Sequence, residues 1–143
     1  METEKMQLSF KRIDLSLRHT FRISRSAEDV APIVITTLEH DGIKGYGEAS
    51  PSGRYGETIE TVQAFLRRVD LKVFSDPFGL QEIIPYIESL APGNGAAKAA
   101  IDIALHDWIG KKLGVPLYKL WGLDKSKTPM TSFTIGIDSP QVI

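Results

Sequence analysis

The sequence of 143 residues contains no cysteine, which excludes disulfide bonds and zinc sites with thiolate ligands. It also lacks an apolar run of about 18 residues, the length that a membrane-spanning helix needs. No apolar segment follows the polar start METEK, so no secretory signal is visible. An excess of positive charge is missing too, since the formal net charge is −1 and nucleic-acid-binding domains usually carry a clustered basic surface. We therefore expect a cytoplasmic protein that has neither a nucleic-acid nor a membrane partner.

The first half of the chain has the pattern of an antiparallel sheet. The composition is globular, with 42% hydrophobic and 24% charged residues. We predict strands over Met6–Arg18, Ile33–Glu39 and Ile43–Glu48, and hairpin turn chemistry at Asp41-Gly42. The apolar set of the first strand changes phase after Phe10, which predicts a bulge near Lys11. Two polar stretches, HTFRISRSAEDVAP and ASPSGRYGET, are predicted to be long loops.

Helical spacing follows the three strands. One predicted helix has an apolar face formed by Ile59, Val62, Phe65 and Leu66. Another begins at Asp76-Pro77, and Pro85 predicts a kink or an interruption inside it. The strongest helix pattern covers Ala96–Lys112, where alanines form a small-residue surface that allows close approach, and Gly114 suits its end. A short helix in PLYKLWG ends at Gly122.

The last residues have the pattern of a new unit. Ser132–Ile137 alternates as a strand, with Phe133, Ile135 and Ile137 on one face. Asp138 or Ser139 could then cap a helix whose first residue is Pro140. We expect an α+β fold, with a three-stranded antiparallel meander followed by a helical bundle in residues 1–127. Residues 128–143 would begin a second domain, so the sequence is expected to be part of a longer protein.

Five residues are candidates for substrate binding. Arg22 and Arg25 in the first loop could grip a carboxylate with two hydrogen bonds, or they could be solvated loop charges. Arg54 and Tyr55 lie in the second loop, where Tyr55 could instead pack against Ile59. Thr134 is a polar residue on an apolar strand and could face a ligand, although threonine also favours strands for its own sake.

Other motifs carry little chemistry. The three histidines have no metal-ligand spacing, and His106 with Asp102 is interpreted as a local pair four residues apart on a helix. The stretch GYGEASPSG lacks the pattern of a phosphate loop, and its glycines are interpreted as permitting a sharp turn.

Four stretches together resemble a known family. LSLRHTFRIS, GIKGYGEASP, AAKAAIDIALHDWIGKKLGVPLYKLWG and TSFTIGIDSP resemble the N-terminal capping domain of the enolase superfamily, in its muconate-lactonizing subgroup, and most closely the dipeptide epimerases of the alanine–glutamate type. The last stretch is similar to the first strand of a (β/α) barrel of the TIM type. In that family two capping loops close over the barrel mouth and shape the specificity pocket.

The resemblance assigns roles residue by residue. It implies that Arg25 binds substrate, with Arg22 as the alternative, that Arg54 and Tyr55 lie on the second capping loop, and that Thr134 lies near the reacting centre. The implied enzyme is an isomerase that removes and returns the proton next to a carboxylate, through an enediolate. Its catalytic lysines and the carboxylates that bind Mg²⁺ would lie in the barrel, outside these residues. The 143 residues alone should be inactive, and the full-length enzyme is expected to be a homo-oligomer.

Two alternatives remain open at this point. The same fold could serve a muconate cycloisomerase or an o-succinylbenzoate synthase, although an arginine matched to a substrate carboxylate favours a dipeptide. The chain could also be a complete, non-catalytic α+β binding module.

Reading the encoding gene beyond Ile143 tests the resemblance directly. We predict a K-x-K motif at the end of the second barrel strand, because the family's proton-transfer lysines would follow there. A gene that stops at Ile143, with a product that is a compact and well-ordered unit, would contradict the enzymatic interpretation.

Overall fold

The computed structural model describes residues 5–24 and 26–139. Its sheet is an antiparallel meander in the order β1-β2-β3, formed by β1 (Gln7–Ile23), β2 (Ser26–His40) and β3 (Ile43–Ala49). Asp41 and Gly42 both have positive φ, at 50° and 68°, which confirms the predicted hairpin turn. Lys112 donates a hydrogen bond to the Asp41 carboxylate, and this contact lowers the pKa of Asp41.

The prediction of a long loop after Arg18 is wrong, because β1 and β2 continue beyond β3 as a two-stranded arm. Phe21 pairs with Glu28 and Ile23 with Ser26, so the strands reach almost to the hairpin tip. The arm is polar because most of its residues are exposed, whereas a strand that covers a core needs an apolar face. Polar composition here reflects an exposed hairpin and not an irregular connection.

The predicted bulge near Lys11 is also wrong. Lys11 pairs with Ile35 in regular register, and the register shift falls between Ser16 and Phe21. The apolar set changes phase because the covered face changes. Phe10 lies on the face that packs against the helical core, whereas Ile13 lies on the opposite face, directly across from Ile33.

The described residues form four α-helices: α1 (Ile59–Leu66), α2 (Leu80–Leu90), α3 (Gly95–Leu113) and α4 (Leu117–Leu120). α1 and α3 pack against the sheet, whereas α2 and α4 pack against α3. α2 begins later than predicted, because the Asp76 carboxylate accepts the Phe78 N–H and closes a turn there. Pro85 lies inside α2 without interrupting it. Gln81, whose carbonyl loses its helical partner, is exposed to solvent, as is Pro85. Within the described ranges, no helix is both long enough and apolar enough to cross a membrane.

The core lies between the sheet and α3. A Cβ on Gly45 would overlap the Ala104 carbonyl oxygen, and one on Gly47 would overlap that of Ala100. The predicted small-residue surface of α3 therefore does allow close approach, and it does so against glycines. These two glycines lie within β3, so their interpretation as residues of a sharp turn is wrong. The largest fully buried side chains around this contact are Met6, Leu38, Leu71, Ile83, Ile87, Ile101, Leu105 and Trp108.

The predicted strand over Ser132–Ile137 is not formed. The segment makes one backbone hydrogen bond to β1, from the Ile137 N–H to the Arg22 carbonyl oxygen, and a single bond is not the ladder that a paired strand has. Phe133, Ile135 and Ile137 are 89%, 62% and 56% exposed, so the apolar face that the alternation predicted is uncovered. Of the predicted helix start, Pro140 lies outside the described residues.

Replacing Gly47 with alanine should destabilise the domain, because its methyl group has no room beside α3. We expect G47A to lower the free energy of unfolding by about 1–3 kcal/mol, the usual range for overpacking. Urea denaturation measures this change. G53A is the matched control, because a Cβ on Gly53 meets nothing within 4 Å. Equal stability of the two variants would contradict the close packing of α3.

Candidate functional site

A cleft of about 320 Å³ lies between the outer part of β1 and the C-terminal segment. We call it the arm cleft. Its floor combines aromatic and aliphatic surface with hydroxyl, imidazole and carboxylate groups. The residues that line it are His19, Thr20, Phe21, Phe133, Thr134, Ile135, Gly136 and Asp138. Such a mixture of apolar walls and few polar groups is typical of small-molecule sites.

The cleft is held together by backbone contacts. The Ile137 N–H donates to the Arg22 carbonyl oxygen over 2.7 Å. Gly136 passes so close to β1 that a Cβ would lie 3.3 Å from both the N and the O atoms of Arg22. The Thr20 hydroxyl on β1 donates to the Asp29 carboxylate on β2, and this bond links the two strands of the arm beside the cleft.

A capped turn leads the chain toward the cleft. A 3-10 turn over Lys125–Lys127 follows Asp124, whose carboxylate accepts hydrogen bonds from the hydroxyl and the N–H of Ser126. These bonds lower the pKa of Asp124, the hydroxyl contributing most. The carboxylate therefore stays ionised and keeps the turn capped at neutral pH.

Two of the predicted substrate-binding residues meet at the arm cleft. Thr134 lines it, and Arg22 borders it through its backbone while its side chain is exposed. Arg25 lies outside the described residues. Arg54 and Tyr55 are not among the lining residues, so the structure does not bring the second loop into this cleft.

The second loop is nevertheless an ordered turn. Gly53–Tyr55 forms a 3-10 turn, in which the Ser52 hydroxyl accepts the Arg54 N–H and the Ser52 carbonyl accepts the Tyr55 N–H over 3.0 Å. Gly56 has φ of 70°, a left-handed conformation that glycine adopts without strain. The Tyr55 side chain is 77% exposed, which does not support its alternative role of packing against Ile59. Arg54 and Tyr55 thus present their side chains to solvent from a closed turn.

Sequence reasoning missed His19, Thr20 and Asp138 as lining residues. The missed signal is the β-favouring pair Thr20-Phe21 inside a polar stretch, which fits a strand better than a loop. Once the stretch is treated as a strand, its neighbours come to lie along one edge of the arm. The contact with residues far ahead in the sequence has no local signal.

The resemblance implies a Mg²⁺-dependent enzyme, so we asked whether the described residues could bind the ion. Over residues 5–24 and 26–139, no group of three histidine, aspartate or glutamate side chains lies close enough together to hold a metal ion. These residues therefore do not fit Mg²⁺ as ligands. His106 contacts Asp102 through Nδ1, 3.2 Å from the carboxylate, which agrees with the interpretation as a local helix pair.

A three-stranded meander with a helical layer on one face and two loop regions at its ends is the architecture of the N-terminal capping domain of the enolase superfamily. The family model described as mandelate racemase / muconate lactonizing enzyme, N-terminal domain, matches residues 9–122. The chain belongs to this family, and the predicted α+β fold of a three-stranded antiparallel meander followed by helices is confirmed.

Relatives with named activities agree with this membership. An L-Ala-D/L-Glu epimerase of Bacteroides thetaiotaomicron is 52% identical over 139 residues, which is 97% of this chain and 36% of that protein. The structure of a dipeptide epimerase from Enterococcus faecalis, complexed with Mg and L-Leu-L-Tyr, is similar with a TM-score of 0.75 and 33% identity, over 99% of this chain and 40% of the other. A dipeptide epimerase from Cytophaga hutchinsonii, complexed with Mg and D-Ala-L-Val, has a TM-score of 0.82 and 26% identity, over 97% and 38%.

The comparisons therefore concern one part of larger enzymes. The chain spans between a third and two fifths of the length of these relatives. Its relatives are isomerases of the epimerase class, which favours the enzymatic interpretation over a complete binding module.

Removing the backbone contact across the arm cleft should expose β1 to protease. We expect I137P to speed trypsin cleavage after Arg22 about fivefold, because proline has no N–H to donate and one hydrogen bond contributes about 1 kcal/mol. I137A keeps the N–H and should cleave at nearly the wild-type rate. Mass spectrometry of a digestion time course measures both rates. Equal rates for I137P and wild type would show that the contact does not hold the cleft.

Proposed function

We propose that this chain is the capping, specificity-determining part of a Mg²⁺-dependent dipeptide epimerase. The observation that carries the proposal is 52% identity to an L-Ala-D/L-Glu epimerase across 97% of the chain. The parent enzyme would remove and return the proton next to a carboxylate, and a lysine pair beyond these residues would transfer it. The division into residues 1–127 and residues 128–143 as the start of a barrel remains part of this proposal.

The residues of this chain would bind the substrate and exclude water. Arg25, with Arg22 as the alternative, would pair with a substrate carboxylate, since a guanidinium offers two parallel N–H donors to that group. Thr134 would contribute a hydroxyl from the wall of the arm cleft. Arg54 and Tyr55 would contact the substrate from the second loop. Their side chains are exposed in this chain, so they are free to contact a ligand or another domain that lies opposite the loop.

We assign metal binding to the part of the relatives that lies outside the region matched by this chain. The assignment of Mg²⁺ is supported by solved structures of dipeptide epimerases that contain Mg. When bound, the ion would stabilise negative charge that develops on the substrate. A cytoplasmic location and a homo-oligomeric state remain predictions for the full-length protein.

Solvent-deuterium exchange on a dipeptide library tests the proposed reaction in the full-length enzyme. We expect deuterium to enter next to the carboxylate of at least one dipeptide. R22A and R25A are compared because only one of them should raise KM, by about tenfold or more, through loss of a charge-assisted hydrogen bond. R12A is the matched control, since Arg12 pairs with Asp14 on the strand, outside the cleft-lining residues.

If no dipeptide in the library exchanges deuterium, the proposal of a dipeptide substrate is rejected. Deuterium exchange into no dipeptide, together with turnover of a muconate or succinylbenzoate precursor, would assign the chain to one of the other reactions of the family. Unchanged KM values in R22A and R25A would remove the first loop from the substrate site.

A further inference from the structure

Helix α3 has no cap of its own at the N-terminus. Asn94 occupies the N-cap position in a left-handed conformation, with φ of 57°, and its side chain makes no capping hydrogen bond. That side chain donates instead to the Pro92 carbonyl over 2.9 Å. The first turn of α3 also carries no acidic residue. The first N–H groups of a helix have no partner within the helix, so they need an acceptor from elsewhere.

Glu57 supplies that acceptor from 39 positions earlier in the chain. Its carboxylate oxygens lie 3.2 and 3.4 Å from the Ala96 nitrogen and accept the Ala96 N–H. The side chain is half-buried. A negative charge at this end of a helix is also favoured by the aligned peptide dipoles.

The backbone of the same residue closes the second loop. The Glu57 N–H donates to the Ser52 carbonyl oxygen over 3.3 Å, and the same oxygen accepts the Tyr55 N–H over 3.0 Å. Glu57 therefore joins the base of the loop to α3, while Ala49 at the end of β3 is fully buried on the other side of the loop. The exposed tip, Arg54-Tyr55, extends from this fixed base.

We propose that Glu57 is a positioning residue that sets the geometry of the substrate-binding loop by capping α3. The assignment of substrate binding to this loop rests on the proposed function, whereas the coupling between Glu57 and the loop does not. The loop is then a preformed wall of the specificity pocket, and it keeps its shape before any substrate arrives. Substrate selection by Arg54 and Tyr55 would depend on a residue that itself touches no substrate.

Amide hydrogen exchange, followed by NMR in this chain, tests the coupling without substrate. In E57A, the backbone amides at positions 55 and 57 should exchange about tenfold faster or more, because a charge-assisted bond that fixes the loop base is lost. Amides of Val34 and Leu38 in the core should change less than about twofold if the effect is local. E57Q should return the loop amides to within about threefold of wild type, since the Gln side-chain oxygen can accept the same N–H.

E60A is the matched control. Glu60 is an acidic residue in the first turn of α1, its side chain is 76% exposed, and its ion-pair partner is Arg12 on β1. Loop exchange in E60A should equal that of wild type.

Two results would overturn the proposal. Unchanged loop exchange in E57A would show that Glu57 does not hold the loop. Faster exchange of loop and core amides by the same factor, without rescue by E57Q, would show a general loss of stability. A positive exchange result combined with no deuterium incorporation into dipeptides would leave the coupling in place and reject only the epimerase reaction.

Discussion

The close contact between α3 and β3 is the constraint on which the rest of the domain depends. Two glycines on β3 face two alanine carbonyls on α3, and no side chain lies between the backbones. Polar groups complete this interface: the buried Thr36 hydroxyl is 3.0 Å from the Ala100 carbonyl, and the Asp107 carboxylate accepts the Tyr46 N–H over 2.8 Å. A buried donor without such partners would be costly, so these bonds specify one seating of the helix.

The N-terminus of α3 serves the proposed function because of this seating. Its N-terminus lies where the Glu57 carboxylate can reach it, which connects the helix to the second loop. Its C-terminus ends at Gly114 in a left-handed conformation, and α4 follows and packs against α3. A rigid scaffold that fixes loop positions is a common way to build a binding site.

The sheet is longer than the helical layer that covers it, and this mismatch creates the arm. Phe10 packs against the helical core, whereas Phe21 and Ile23 extend beyond the helices and are partly exposed. An uncovered two-stranded ribbon is stabilised mainly by its own cross-strand pairs. Phe21 of the arm lies around the same cleft as the exposed side chains of Phe133 and Ile135. These surfaces are available to a substrate or to the larger part of the enzyme found in the relatives.

Local sequence patterns were sufficient to predict most of the fold. The turn at Asp41-Gly42, the apolar face of α1 and the end of α3 at Gly114 were all predicted, because each depends on residues that are close in the sequence. The family resemblance also rested on such stretches, and the family match confirms it. Local patterns failed where the conformation of a segment depends on whether helices cover it. The arm was predicted as a loop because its sequence is polar and, apart from Phe21 and Ile23, shows no period of two.

Backbone preferences and apolar spacing are short-range properties, so the order of residues is enough to predict the class of fold, the helix and strand periods and the family. The folded arrangement is needed to show which strand residues are covered, why Gly45 and Gly47 are required, and that Arg22 borders a cleft with Thr134. It is also needed to show that Glu57 reaches α3, and that Ser132–Ile137 bonds to β1 only at Ile137 and forms no ladder. Each of these depends on contacts between residues far apart in the chain, and neither composition nor spacing records such contacts.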